Sequence, residues 1–259
     1  MNIVVCVKQV PDTWAEKKLD PASQTLDRSG DNILNEMDEF AIEAALQLTE
    51  AHGGTVTVLS MGPEGATDAI RKALSMGADS AVHVQDDALA GSDAPGTSLA
   101  LAKAVQRIEG VDLIIAGCES SDSRTSVVPA MLAERLELPQ LTFVNSIEVD
   151  GSAVKVKRVT DDGYQVVQAS LPAVVSVVEK MNEPRYPSFK GIMAAKKKPV
   201  DVISVSDLGL DAGSVGSAGA WTEVADAANR PPRSAGTVVE DDGNGGNALV
   251  DFLAAGKFV

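Results

Sequence analysis

Apolar residues in this chain come in short runs separated by stretches with helical spacing. Residues 2–7 (NIVVCV) form an almost unbroken apolar run, the mark of a strand buried on both faces. The next segment, 8–34, is polar and turn-rich, with Pro11, Pro21 and Gly30. It is too long for an ordinary connection, and long structured loops are usually functional. Phe40, Ala41, Ala44, Ala45 and Leu48 recur at helical spacing and predict a helix over 36–52. Asn35 is its expected N-cap, Glu36, Asp38 and Glu39 suit the positive end of its dipole, and Gly53-Gly54 stops it. A strand over 55–60 turns at Met61-Gly62-Pro63 into a helix ending near Leu74. A short strand follows over 81–84, then a helix over 96–108, a strand over 111–116, a small-residue polar loop over 117–126 and a helix over 127–136. Strand and helix alternate throughout, which implies a parallel sheet covered on both faces by right-handed crossovers.

From 141 onward the pattern changes. Short alternating runs over 141–149, 153–160 and 164–170, with turns at Asp150-Gly151 and Asp161-Asp162-Gly163, predict an antiparallel extension of the sheet. Another apolar strand is expected over 173–178. Residues 182–200 read as irregular, proline-punctuated and basic, and 211–247 are rich in Gly, Ala, Ser, Asp and Pro, a composition that buries little surface. A short amphipathic segment over 248–258 closes the chain. The expected architecture is therefore α/β, a three-layer α/β/α Rossmann-like fold with a mostly parallel sheet, an antiparallel extension and a C-terminal arm. The globular nucleotide-binding domain is expected over 1–200 and the arm over 201–259.

Charge and composition narrow the function. A formal charge of −15 over 259 residues argues against nucleic acid, whose phosphates demand a basic face. Basic residues concentrate at Lys196-Lys197-Lys198, and aromatic residues make up only 3%, so the core must be built from Val, Ile, Leu and Ala. The start of the chain reads as a core strand rather than a signal peptide, and no apolar run nears the length of a membrane span, so a cytoplasmic, non-integral protein is expected. Cys6 and Cys118 read as small buried hydrophobes. His52 and His83 lie far apart with no partner at ligand spacing, and no nucleophile-and-base pattern is visible, so neither a metal site nor a catalytic residue is expected.

In an open parallel sheet, ligands bind beyond the carboxyl ends of the strands near the switch in strand order. Three segments leave such ends: 8–10, 61–62 and 117–126. The last reads Gly-Cys-Glu-Ser-Ser-Asp-Ser-Arg-Thr-Ser and runs into a helix N-terminus. It is either a polar loop whose Ser and Asp cap that helix or a seat for phosphate, with Arg124 adding charge-assisted bonds. The usual dinucleotide and P-loop fingerprints are absent. The second unusual segment is 182–198, where Pro184 and Pro187 stiffen the chain and Tyr186, Phe189 and Met193 supply apolar knobs ahead of the lysine run. A rigid aromatic-bearing protrusion suits partner docking.

These residues resemble a known family. The stretch EKMNEPRYPSFKGIMAAKKK (179–198) is similar to the signature of the β subunits of electron-transfer flavoproteins. VCVKQVPD (5–12), DEFAIEAALQL (38–48), IRKALSMGAD (70–79) and LPQLT (138–142) follow in the family's order. The resemblance covers residues 3 to about 209 and continues weakly beyond. It implies an electron carrier without bond-making catalysis, paired with an α subunit that holds most of the FAD and around which the C-terminal arm wraps. It further implies electrons arriving from acyl-CoA and related dehydrogenases of fatty acid β-oxidation and leaving to a membrane quinone oxidoreductase, with a structural AMP in this subunit. AMP contacts would fall at Cys6, Lys8, Asn35, Glu36, Met37, Asp38, Met61 and the loop Gly117, Cys118, Glu119, Ser120, Ser121, Asp122, Ser123, Arg124, Thr125, Ser126. Thr13 and Trp14 would lie near the flavin, and Pro184, Arg185, Tyr186, Phe189, Ile192 and Met193 would dock partners. Many relatives follow the loop aspartate with glycines, whereas here Asp122 precedes Ser123-Arg124-Thr125-Ser126, which narrows the pocket and leaves AMP, a second FAD or neither open. Val159 stands where the family carries a Glu. From a different class, a stand-alone adenine-nucleotide-binding regulator resembling universal stress proteins would use a similar sheet, as a homodimer without flavin.

Overall fold

Strand β1 (Asn2–Val7) sits mid-sheet and sends its side chains alternately into two cores. Ile3, Val5 and Val7 enter one cluster and Val4 the other, as a period of two dictates. The computed structural model describes residues 1–228, 230–233, 235–236 and 238–259. They form two units, Met1–Ala225 and Asp226–Val259.

In the first unit, β1 is followed by β2 (Gln9–Pro11), β3 (Asn32–Leu34), α1 (Glu36–His52), β4 (Thr55–Met61), α2 (Thr67–Met76), β5 (Ser80–Val84), α3 (Ala94–Val105), β6 (Leu113–Gly117) and α4 (Val128–Leu136). Then come β7 (Gln140–Asp150), β8 (Ala153–Thr160), β9 (Gly163–Ser170), β10 (Ala173–Val177), α5 (Phe189–Ala195), β11 (Val200–Ile203) and the one-turn α6 (Gly216–Gly219). The main sheet has nine strands in the order β11-β5-β4-β1-β6-β10-β7-β8-β9. All are parallel from β11 to β7, and β8 and β9 add antiparallel hairpins, as the alternating runs predict. Helices α1, α2 and α5 supply one core cluster, and α3, α4 and residues 205–215 the other, giving three layers.

Several details differ from the sequence expectation. Helix α1 has the expected bounds, but the Asn35 side chain makes no capping bond, because its amide is engaged by a distant loop. The 8–34 segment folds back on itself: β2 and β3 pair antiparallel, holding the two ends of the loop together. Residues 189–195, expected to be irregular, form α5, capped by the Ser188 hydroxyl accepting from Gly191 N–H at 3.0 Å. Residues 200–203 become the edge strand β11, and Val205, Leu208 and Val215 are buried, so the first unit extends past the expected boundary at 200.

The second unit contains α7 (Gly245–Ala255), whose Leu249, Val250 and Phe252 are exposed, and Phe252 stacks on Phe258 with ring centroids 6.4 Å apart. Among the described residues no helix is long and apolar enough to cross a membrane.

Candidate functional site

Strand order reverses at β1, which runs between β4 and β6. The loops leaving β1 and β6 therefore open a crevice at the carboxyl edge of the sheet, and α1 begins in it. A buried polar network fills its floor. Asp38, in the first turn of α1, accepts from Lys8 N–H at 2.7 Å and from Asn35 Nδ2 at 2.9 Å. The Asn35 amide spans the crevice: Nδ2 also donates to the Glu119 carbonyl at 3.0 Å, and Oδ1 accepts from Ser121 N–H at 3.1 Å. Burial pushes the Asp38 carboxyl up to about 7, against the opposing pull of the Asn35, Lys8 and Gly117 N–H groups. Gly117 closes the contact between β6 and α1, because a Cβ there would sit 2.6 Å from Asp38 Oδ1 and 2.7 Å from Met37 Cβ.

A second charge lies above this floor. Asp122, with its side chain only 2% exposed, accepts from Lys8 Nζ at 2.8 Å and Arg28 Nη2 at 3.0 Å. Burial would raise its carboxyl, but Lys8, Ser120 and Arg28 together hold it below the usual range. Arg28 also donates to the Gln9 carbonyl at 2.8 Å and so ties the 12–31 loop to β2. No sequence signal identified Arg28. Its partners are 19 and 94 positions away, and only the closure of the β2–β3 ribbon brings it to the crevice.

The expected site residues distribute unevenly. Lys8, Asn35, Asp38 and the 117–122 stretch are joined by hydrogen bonds, and Met37 packs against Gly117. Cys6 and Met61 are partly buried against the α3–α4 cluster, so they line the other side of β1 and β4. Burial, then the charge of Asp38, raises the Cys6 thiol to about 12, and burial, then Glu119, raises Cys118 to about 11, so both stay protonated and unreactive. Ser120 and Ser123 share a hydroxyl bond of 2.7 Å, and Ser126 Oγ donates to Glu119 at 3.1 Å. Glu36, Arg124 and Thr125 face solvent. The loop does not cap α4: Val127 occupies the N-cap position without a side-chain bond, which removes the capping role considered for its Ser and Asp. Within the Ser123-Arg124-Thr125-Ser126 stretch, Arg124 and Ser126 adopt φ of 49° and 56°, the left-handed region that favours glycine.

Among the described residues, the Ser121 Oγ of the β6 loop is buried in the crevice without a hydrogen-bond partner, and the Thr13 Oγ1 of the 12–31 loop is likewise buried and unpaired. An orphaned Ser121 hydroxyl in a loop that also meets the Lys8 and Arg28 cations fits a polar, phosphorylated ligand such as a nucleotide. Trp14, 94% exposed on the neighbouring loop, leaves an aromatic face open.

The segment 182–198, expected to dock partners, lies on the α1–α2 face. Tyr186, Phe189, Ile192 and Met193 are exposed, Phe189 by 80%. Arg185 points the other way. Its guanidinium grips Glu43 (Nε–Oε2 2.7 Å, Nη2–Oε1 3.0 Å) and Glu50 (Nη1–Oε1 2.6 Å), both on α1. Pro184 is half-buried beside it.

The sequence model of the electron transfer flavoprotein domain matches residues 24–208. The chain is 52% identical to the electron transfer flavoprotein subunit beta of Mycobacterium leprae over 100% of its length and 99% of that protein's. It is 39% identical to the protein of the same name in Megasphaera elsdenii, covering 97% of this chain and 96% of the other. It is also 38% identical to the caffeyl-CoA reductase-Etf complex subunit CarD of Acetobacterium woodii, covering 92% of each.

Proposed function

Because this chain belongs to the electron transfer flavoprotein family, among its β subunits, we propose that it pairs with an α subunit to carry electrons between dehydrogenases and a membrane quinone oxidoreductase. In that pair FAD, held mainly by the α subunit, supplies the redox chemistry. This chain shelters one side of the flavin through the 12–31 loop, with Thr13 and Trp14 nearest, and presents residues 182–198 to acyl-CoA and related dehydrogenases. Its own crevice holds AMP as a structural ligand on Lys8, Asn35, Asp38 and the 117–126 loop. The C-terminal arm wraps the α subunit. No bond is made or broken by side chains of this subunit.

The observation that carries the reading is the crevice at the β1–β6 switch point, where the Asn35 amide bridges α1 to the β6 loop beside an orphaned Ser121 hydroxyl. A stand-alone regulator on a similar sheet would leave the exposed apolar finger at 186–193 without a use.

Purification of the chain co-expressed with an α subunit tests the proposal. A yellow heterodimer that releases FAD and AMP on denaturation, weighed by mass spectrometry, is the expected result. A colourless pair, or a chain that stays a homodimer when the α subunit is present, would overturn it. Release of FAD at two equivalents would retain the carrier role and replace AMP with a second flavin. Phe189→Ala is expected to weaken reduction by the dehydrogenase and leave flavin content intact.

A further inference from the structure

We propose that Glu43 and Arg185 form the positioning clamp of the docking segment, with Arg185 acting inward on α1 rather than outward on a partner. This role presupposes the docking reading of residues 182–198 given above. Four contacts line one face of α1. The Asn182 amide donates to the Phe40 carbonyl at 3.0 Å, Arg185 N–H to Glu43 at 3.2 Å, and the guanidinium to Glu43 and Glu50; Gln47 steadies Glu43 from within the helix at 2.9 Å. Residues 40, 43, 47 and 50 share a face because helical neighbours recur at three and four positions. The Glu43 side chain is only 5% exposed, so its charge is satisfied by this arginine and not by water. Burial would raise the Glu43 carboxyl, but Arg185 holds it low, and Glu43 with Glu50 pushes the guanidinium above its ordinary value. A planar fork that meets two carboxylates at once is a task for arginine, which lysine cannot reproduce.

The far foot of the segment is fixed separately. Arg71 of α2 donates to the Ala195 and Lys198 carbonyls at 2.7 and 2.8 Å, and Lys198 Nζ returns to the Leu74 and Gly77 carbonyls at 3.0 and 3.1 Å. Gly191 lets α5 approach α2 closely, since a Cβ there would lie 2.5 Å from the Ser75 carbonyl oxygen. The exposed knobs at Tyr186 and Phe189 therefore sit on a span anchored at both ends. A pre-set span loses less freedom when it docks, and that saving appears in binding rather than in the electron-transfer step.

The test follows flavin reduction in the αβ heterodimer by an acyl-CoA dehydrogenase at varied heterodimer concentration, comparing wild type with Arg185→Lys, Glu43→Gln and Phe189→Ala. Arg185→Lys and Glu43→Gln are expected to raise KM about tenfold with kcat within about twofold of wild type, the scale of re-ordering a few side chains on binding. Flavin content should be unchanged and tryptic cleavage after Lys190 faster. If Phe189→Ala raises KM while both clamp variants match wild type, the clamp is wrong and the docking reading stands. If Phe189→Ala matches wild type, the docking reading falls and takes the clamp with it. Should the clamp variants lose flavin or unfold, Glu50→Gln, at the solvent-facing half, decides: a KM raised about twofold or more supports the clamp, and an unmoved KM overturns it.

Discussion

The crevice at the carboxyl edge of the sheet and the finger over 182–198 on the α1–α2 face use their polar groups in opposite ways. In the crevice, Asn35, Asp38, Lys8, Arg28 and Asp122 turn toward one another, and the exposed residues of the β6 loop, Ser123, Arg124 and Thr125, are all polar. At the finger, Arg185, Arg71 of α2 and Lys198 are spent at the two feet, and the large apolar side chains Tyr186, Phe189, Ile192 and Met193 are left exposed between them. The inward charge network suits the small polar ligand proposed for the crevice, and the anchored apolar tip suits the large partner proposed for the finger. The contrast also predicts where substitutions hurt: stability should be sensitive in the crevice and insensitive at the fingertip.

Asp38 is the sharpest place to break that contrast. Its carboxyl is raised to about 7 from 3.8, so between roughly pH 4 and pH 7 the native state holds a proton that the unfolded chain has released. Stability from this group is present below that window and lost as pH rises through it, at up to about 1.4 kcal/mol per pH unit. Urea melts across the window should show this slope in wild type and its removal in Asp38→Asn. Asp122 runs oppositely, its contribution present at neutral pH and lost in acid, because its carboxyl is held low. Asp122→Ala should cost about 2 kcal/mol at neutral pH, below the roughly 3–5 of a fully buried pair because Lys8 and Arg28 keep some access to water. Thermal unfolding measures it.

Two smaller effects complete the series. Arg124→Gly should stabilise by up to about 1 kcal/mol, since glycine adopts the left-handed backbone at that position without a Cβ clash; a loss of stability would mean that the Arg124 side chain contributes to the fold. Phe189→Ala should change unfolding free energy by less than about 0.5 kcal/mol, as expected for a solvent-facing side chain. A large loss there would show that the fingertip belongs to the core and would erase the contrast.

Much of this was legible in the sequence because it is local. Helix α1 matches its expected bounds, since the acids of its first turn, its apolar spacing and Gly53 all act within the segment. The antiparallel extension was visible from period-two alternation and Asp-Gly turns. What escaped depends on distant partners. The β2–β3 ribbon consists of three-residue strands, one holding Pro11, and is too short to carry a period. Helix α5 was masked by Pro184, Pro187 and Gly191, residues that form its approach and its close contact rather than break it. Strand β11 and the buried Val205, Leu208 and Val215 are isolated apolar positions in a polar, glycine-rich stretch, and only the waiting core gives them meaning. In the crevice, the expected Asn35 and Asp38 took part, but the role of Asn35 as a bridge, and that of Arg28 altogether, required chain segments dozens of residues apart to be placed together.

One consequence follows from α1 carrying Asn35 and Asp38 at one end and Glu43 and Glu50 along its length. The helix acts as a ruler with a phase as well as a length. Adding a single residue between Asp38 and Glu43 would lengthen it by about 1.5 Å and, more seriously, rotate everything downstream by about 100°, turning Glu43 and Glu50 away from Arg185. Point changes along this stretch are open to gradual drift, but its residue count is not.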